Sequence, residues 1–509
     1  MASSFHGGSL IAGKQIHRSA GGFTAVSPVT LEALPGEFFP ASTEEVDLAM
    51  AEARDAFPAF RASSGKTRAG FLEAIADNLA STSDDLLERA RLETGLPIPR
   101  LKSELDRTTG HLRMFAAISR DRSWLDLRHE PALPDRKPVP RPELRRAFRP
   151  IGPVVVFGSS NFPLAYSVAG GDTASALATG NPVVVKGHEA HPGTSELVAQ
   201  AIVSAARTMG LPAGVFSLLQ GSGKELGIPL VTHRATRAVG FTGSTHAGRI
   251  FIHAAARRPD PIPVFAEMGS LNPIVILPSA LKESPGHIVE LLVASITTDA
   301  GQFCTKPGII LLPEGADGEK FMELIAGKVK GIPTVPMLHR GIHSSFSEGA
   351  EKLRALPSVA AVAIKEAASG TLEGSIHILR TNAEALLAEG LLRQEYFGPL
   401  SIFVTWSSVD QIYDILRALG GQITASLFTA EDDPTAASLL PLLEESAGRL
   451  IVNGVPTGVE VNSAIQHGGP WPACSDSRFS AVGPTALLRF VRPVSYQNFP
   501  AALLPDFLR

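Results

Sequence analysis

Two rhythms of apolar residues divide the chain. Up to about residue 120 they recur every three or four positions, the spacing of helices with one buried stripe. "STEEVDLAMAEARDAFPAFRAS" opens on a Ser/Thr cap with glutamates in its first turn. "GKTRAGFLEAIADNLASTSDDLLERARLETG" keeps helical spacing to Gly95, and "RLKSELDRTTGHLRMFAAIS" predicts one long helix. On that helix Lys102, Asp106, Arg113 and Arg120 share a polar face, while Arg107 falls beside Met114 and Ile118. From residue 153 short apolar runs take over: "PVVVFGS", "NPVVVKG", "VFSLLQG" and "RAVGFTGS". Between them lie helix-like stretches: "FPLAYSVAGGDTASALATG", "TSELVAQAIVSAARTMG" (starting from Thr194 or Ser195) and "ELGIPLVTH".

Apolar strands alternating with helices predict an α/β fold with a doubly wound parallel sheet. Right-handed crossovers bring the loops after these strands to one edge, where such sheets bind ligands. A second α/β region runs from about residue 270 through "NPIVILP", "GIILLP", "LSIFVTW" and "RLIVNG". A domain boundary is expected near Glu267–Asn272, with residues 1–132 and 152–266 in one domain and 267–483 in the other. "EPALPDRKPVPRPELRRAFRPIG" is too rich in Pro to be helix interior. Residues 133–151 and the tail, 484–509, are expected to form an extended arm and a strand that contact another subunit.

Composition narrows the class. Of 509 residues, 44% are apolar and 19% charged, which suits a globular protein of two or three domains. The net charge of −4 offers no basic footprint for nucleic acid or an anionic membrane. No stretch reaches the roughly 18 uninterrupted apolar residues of a membrane span. The amino-terminal "MASSFHGGSLIAGKQIHRSAGG" lacks a sustained apolar core and reads as mature protein. Cytoplasmic location is the expectation. The two cysteines, Cys304 and Cys474, make neither a disulfide framework nor a thiolate zinc site, so reduced thiols and no metal are expected.

Cys304 sits in "GQFCT", between a helix-like run (Ile288–Ile296) and the strand-like "GIILLP". A nucleophilic thiol needs access, a route to ionise and a donor for the oxyanion it creates. The glycine-flanked loop gives access. Asn161 in "SSNFP" carries an amide able to donate, and Glu267 in "FAEMG" a carboxylate able to take a proton from thiol or water. Each residue has a structural reading too: helix cap, solvated acid, core thiol. "GSGKELG", containing Gly223, follows a strand and enters a helix, but matches neither the dinucleotide fingerprint nor a Walker loop. "FTGSTHAGR" offers Gly243, Ser244 and free N–H groups at a helix start, a place for an anion or a plain Ser/Thr cap.

"SSNFP", "NPVVVKG", "FTGST", "FAEMGSLNP", "GQFCT" and "EYFGP" occur in the order and contexts of the aldehyde dehydrogenase superfamily, which the chain resembles over nearly its whole length. "TGLPIPRLKSELDRTTGHLRMFA" and "NGVPTGVEVNSAIQHGGPWPA" are similar to the 2-oxoglutarate semialdehyde (2,5-dioxovalerate) branch, with bacterial NADP-dependent aldehyde dehydrogenases close by. The resemblance implies a Rossmann-like cofactor domain, a catalytic domain, a small β oligomerisation arm and a homo-oligomer. It implies NAD(P)-dependent oxidation of a small-molecule aldehyde, here 2-oxoglutarate semialdehyde, through a thiohemiacetal and a thioester. Cys304 would be the nucleophile. Asn161 and the Cys304 N–H would form the oxyanion hole, and Glu267 would activate water. Glu395 and Phe397 would hold the nicotinamide ribose and ring, Lys186 and Glu189 the adenosine ribose, with Ser244 near the pyrophosphate.

There are departures from the family pattern. "KGHEAHP" lacks the Pro-Ser that often follows the lysine, Ser159-Ser160 replaces Pro-Trp, and Ser270-Leu271 replaces Gly-Lys. A carboxylate at Glu189 favours a free 2′-hydroxyl, hence NAD, whereas Lys186 or His188 can meet the 2′-phosphate of NADP. Arg107 is the candidate for a substrate carboxylate, and a salt-bridged arginine is its structural alternative. His467 and Trp471 of "HGGPWP" are candidates to line the pocket, His467 more simply as a structural histidine. The competing functions are a medium-chain aliphatic aldehyde dehydrogenase, a cysteine hydrolase using Cys304 with His467, and a non-catalytic nucleotide-binding protein.

Overall fold

The computed structural model describes residues 5–17 and 21–509; residues 1–4 and 18–20, part of the stretch read as mature amino terminus, lie outside the described residues. One sheet contains β1 (Ser9–Ile11), β2 (Lys14–Ile16), β5 (Val154–Phe157), β6 (Val183–Lys186), β7 (Phe216–Leu219), β8 (Ala238–Thr242) and β9 (Val264–Glu267). Its order is β2-β1-β7-β6-β5-β8-β9. Strands β5 to β9 run parallel and β5, β6 and β7 are wholly buried, because helices cover both faces. The first segment, expected to be mostly helical, also adds two strands to the sheet: β1 pairs antiparallel with β7, and β2 pairs antiparallel with β1.

The order reverses at β5. β6 and β7 follow on one side, and β8 and β9 lie on the other. The loops after β5 and β8 are therefore neighbours at a topological switch point, where an open α/β sheet leaves its crevice.

The second sheet contains β10 (Ile274–Ile276), β11 (Ile309–Pro313), β12 (Ala360–Lys365), β13 (Ile376–Asn382), β14 (Leu400–Trp406), β15 (Gln422–Phe428) and β16 (Ala447–Val452). Its order is β12-β13-β14-β11-β10-β15-β16, parallel except at the β12 edge. A third, antiparallel sheet joins β3 (Arg128–Glu130), β4 (Leu144–Pro150) and β17 (Val491–Gln497). The Pro/Arg stretch and the tail thus pair with each other within this chain.

Three helix expectations need correction. The stretch from Gly65 to Gly95 is two helices, Gly65–Ser81 and Ser83–Thr94, broken at Thr82. The helix expected from Thr194 or Ser195 starts at Pro192, because the buried Glu93 carboxylate caps it through the Gly193 and Thr194 N–H groups, both at 2.8 Å. "FPLAYSVAGGDTASALATG" is helical only over Gly171–Thr179. Its first half is an irregular loop that Glu104 satisfies instead, accepting from the N–H groups of Leu164 (2.8 Å) and Ala165 (2.9 Å). That loop carries Asn161 outward from β5. Glu104 itself comes from the long helix Ile98–Asp121, which forms as expected.

Candidate active site

Cys304 follows a helix, Pro285–Thr297, through a tight turn in which Asp299 (φ 49°) and Ala300 (φ 54°) adopt the left-handed conformation. That reversal costs backbone energy, and the surroundings hold it. Gln302 donates its amide to the Asp299 carbonyl at 2.9 Å and accepts from the Leu338 N–H at 3.0 Å. Arg100 donates to the Asp299 carboxylate at 2.8 Å. On the far side Asn272 donates to the carbonyls of Cys304 (2.8 Å) and Lys306 (3.0 Å). The thiol is thus carried on a loop pinned from both ends.

Two groups converge on it. Glu267 ends β9, and His467 arrives on the segment that pairs beside β9 through the Glu267–Cys474 bridge. His467 Nε2 is 3.6 Å from Cys304 Sγ and 3.2 Å from Glu267 Oε1. The ligating atoms of all three side chains lie within 4.8 Å of one another. Burial, then the Glu267 carboxylate, push the Cys304 thiol well above its ordinary range. Burial also pushes the Glu267 carboxyl up, but neighbouring His467 and the Cys304 thiol outweigh it and hold it below the usual carboxylate range. Sequence reasoning favoured a structural role for His467, with a place in the pocket, or beside Cys304 in a hydrolase, as alternatives. Its position here was not readable because the two partners lie far along the chain.

Asn161 is beside the same loop, donating its side-chain amide to the Gln302 carbonyl at 3.0 Å. An asparagine amide carries two N–H groups, so one remains. Asn161, Gly243, Ser244, Glu267, Cys304, Glu395 and Phe397 all line a cavity of about 880 Å³. This volume accommodates a large organic ligand. Ser244 also caps the helix Thr245–Ala256, accepting from the Ala247 N–H at 3.3 Å, so both readings of that serine apply. Glu395 accepts from the Ser270 N–H at 3.4 Å. Burial raises its carboxyl, and opposite Lys306 moderates the shift. Lys306 in turn is lowered by burial and donates to the Leu400 carbonyl at 2.7 Å.

Lys186, Glu189 and Gly223 do not line this cavity, although their neighbours His188 and Lys224 do. Lys186, at the end of β6, is 2.8 Å from Glu189. A Cβ at Gly223 would stand 3.9 Å from the lysine nitrogen. Glu189 remains 47% exposed, open to a ligand. His188 and His339 reach the cavity here, with ring centroids 5.8 Å apart, and sequence patterns gave no sign of His339. Arg107 does not line the cavity; it donates to the Val459 carbonyl at 2.8 Å and lies against the Tyr166 hydroxyl. It forms no salt bridge among the described residues, and its guanidinium is held by a carbonyl and a hydroxyl instead. Trp471 is half exposed beneath the Arg249 guanidinium and does not line the cavity. Cys474 is a buried free thiol.

The sequence model of the aldehyde dehydrogenase family matches residues 16–470. The chain belongs to that family. Among aldehyde dehydrogenases it is 48% identical to alpha-ketoglutaric semialdehyde dehydrogenase 2 of Azospirillum brasilense, covering 98% of this chain and 96% of that protein. It is 40% identical to alpha-ketoglutaric semialdehyde dehydrogenase of Acinetobacter baylyi, covering 99% of this chain and 96% of that one. The fold matches betaine aldehyde dehydrogenase of Staphylococcus aureus, solved with NAD+, at a TM-score of 0.82 and 19% identity over 98% of both chains. It likewise matches 3,6-anhydro-L-galactose dehydrogenase in complex with NAP, at 0.82 and 21% over 96% of this chain and 99% of that one. This aldehyde dehydrogenase is therefore an oxidoreductase of aldehydes that uses a nicotinamide cofactor, and the hydrolase and non-catalytic readings fall away. No described helix is long and apolar enough to cross a membrane.

Proposed function

We propose that this enzyme oxidises 2-oxoglutarate semialdehyde to 2-oxoglutarate, with Cys304 as nucleophile. The observation that carries the chemistry is the packing of Cys304, Glu267 and His467 within 4.8 Å, beside the Asn161 amide. The near-full-length identity to two alpha-ketoglutaric semialdehyde dehydrogenases supports the substrate.

The thiol gives its proton to Glu267, and Sγ attacks the aldehyde carbon. The carbonyl oxygen becomes an oxyanion, taken up by the free N–H of Asn161 and the Cys304 backbone N–H. A bound nicotinamide cofactor supplies the hydride acceptor that turns this thiohemiacetal into a thioester. Glu267 releases the thiol proton to solvent and then takes a proton from water as the water attacks the thioester carbon; the C–S bond breaks, and the departing thiolate recovers that proton from Glu267. His467 holds the Glu267 carboxyl low, which favours its return to the ionised form before the water step.

Lys186 and Glu189 serve the adenosine ribose, Gly223, Gly243 and Ser244 the phosphates, and Glu395 and Phe397 the nicotinamide end. NAD is the preferred cofactor, because Glu189 accepts from ribose hydroxyls and repels a 2′-phosphate. The protein works in the cytoplasm as a homo-oligomer, through the β3–β4–β17 sheet.

The test is nicotinamide reduction, followed by absorbance, with NAD or NADP and either 2-oxoglutarate semialdehyde or hexanal. A much higher kcat/KM for the semialdehyde with NAD supports the reading. Preference for hexanal removes the substrate, and preference for NADP removes the cofactor assignment.

A further inference from the structure

Two arginines meet at one loop near the thiol. Arg107, on the helix Ile98–Asp121, holds the carbonyl of Val459 at 2.8 Å. Arg449, on β16, holds the carbonyl of Gly458 at 2.8 Å and that of Pro456. The two guanidinium groups thus grip consecutive parts of the same short segment from two domains. Tyr166 connects them, lying against Arg107 and within electrostatic reach of both Arg449 and Cys304.

β16 also runs beside the catalytic cluster. Gly448, the residue before Arg449, packs so tightly that a Cβ would meet the Gly468 carbonyl oxygen at 1.9 Å, one residue from His467. Arg449 is within electrostatic reach of the Cys304 sulfur.

Neither arginine has a carboxylate partner among the described residues, in contrast to Arg89, Arg100 and Arg489, which are paired. Arg449 Nε is buried with no hydrogen-bond partner. A partly buried guanidinium that finds only carbonyl oxygens keeps an uncompensated charge, and such a charge is costly unless an anion completes it. An aldehyde carbon and the carboxylate of a short oxo acid are only a few bonds apart. The cation that receives that carboxylate must therefore lie near the thiol, and Arg449 follows Gly448, which packs against the residue after His467, itself 3.6 Å from the Cys304 sulfur.

We propose that Arg449 joins Arg107 in an anion clamp that receives the distal carboxylate of a short-chain oxo acid aldehyde, making Arg449 a specificity-determining residue. This rests on the proposed reading of a carboxylated substrate. The alternative role of Arg449 is to brace the loop at 456–459, and the two roles separate in kinetics.

The experiment compares wild type, Arg449→Met and Arg449→Lys with 2-oxoglutarate semialdehyde and with hexanal, and adds 2-oxoglutarate as an inhibitor of hexanal oxidation. In Arg449→Met the ratio of kcat/KM values, semialdehyde over hexanal, falls about 100-fold, mainly through KM. Inhibition by 2-oxoglutarate weakens alongside it. Arg449→Lys keeps the charge but not the planar fork, and loses roughly tenfold. It also keeps the measurement open if the methionine variant does not fold. An unchanged ratio, with both aldehydes slowed alike, makes Arg449 a loop brace and overturns the clamp, while the wild-type preference for the semialdehyde still stands. A wild type that favours hexanal overturns the substrate reading itself, and the clamp with it.

Discussion

The Nε2 nitrogen of His467 lies 3.2 Å from a carboxylate oxygen of Glu267, although 200 positions separate them in sequence. The contact decides which group stores charge in the resting site. Glu267 is held ionised against its burial, and the thiol beside it is held protonated. The proposed base is ready and the proposed nucleophile is masked.

Replacing Glu267 by Gln should therefore unmask the thiol. The carboxylate raises the Cys304 pKa by repulsion and by accepting its proton, so a neutral amide lowers it. Below that pKa, the thiolate fraction rises roughly tenfold for each unit of decrease. Alkylation of Cys304 by iodoacetamide at neutral pH should speed up in Glu267→Gln, while turnover falls by about 10² to 10⁴. Burial is the larger cause and persists, so the alkylation midpoint stays above that of an ordinary cysteine. An alkylation profile identical to wild type would remove Glu267 as the group that masks the thiol.

His467→Asn tests the other side of the same contact. Without the imidazole, burial dominates at Glu267 and its pKa rises. A base works only above its own pKa, so the acid limb of the kcat–pH profile should move to higher pH. A uniform loss of activity at every pH, with the limb unmoved, would assign His467 to packing alone.

Much of this site was readable because its parts sit where α/β folds put chemistry. Strands such as "PVVVF" and "NPVVVK" are unbroken apolar runs, so their ends, and hence Asn161 and Lys186, could be located from the pattern alone. The cysteine stood out by scarcity. What escaped notice depends on contacts between distant segments. Asn272 staples the Cys304 loop, yet in sequence it is only an asparagine before a proline. Glu104 turns an expected helix into the loop that carries Asn161, and nothing local in "FPLAYS" signals a carboxylate sixty residues upstream. The β1–β2 hairpin was hidden because three-residue strands are too short to show a period.

Arg100 links the two loops that hold the reacting groups. It pairs with Glu104 and Asp299, donates to the Asn161 carbonyl at 3.4 Å, and lies 4.5 Å from the Phe162 ring centre. Arg100→Met leaves Glu104 as a buried carboxylate with only backbone partners. A loss of about 3 kcal/mol in urea unfolding is expected, from the cost of stranding a buried charge. Displacing Asn161 by even a fraction of an ångström should also cut kcat, by up to about 100-fold, with KM little altered. Unchanged stability would mean that Glu104 is satisfied by Leu164 and Ala165 alone.

The proposed preference for NAD rests on Glu189. Its carboxylate is 2.8 Å from Lys186, which burial lowers and Glu189 raises. In this arrangement the lysine charge is already answered, and an incoming 2′-phosphate meets a carboxylate before it meets a cation. Glu189→Gln removes the repulsion and frees Lys186 together. The ratio of kcat/KM with NADP to that with NAD should then rise by about 10- to 100-fold, mostly through the KM for NADP. Freed of its partner, the buried lysine also titrates lower, so the gain should be larger at mildly acidic pH, where the ammonium form is secured. Lys186→Met in the same background should cancel the gain, since the phosphate would lose the cation that received it. If Glu189→Gln leaves the cofactor ratio unchanged, the discriminating charge lies elsewhere than at Glu189.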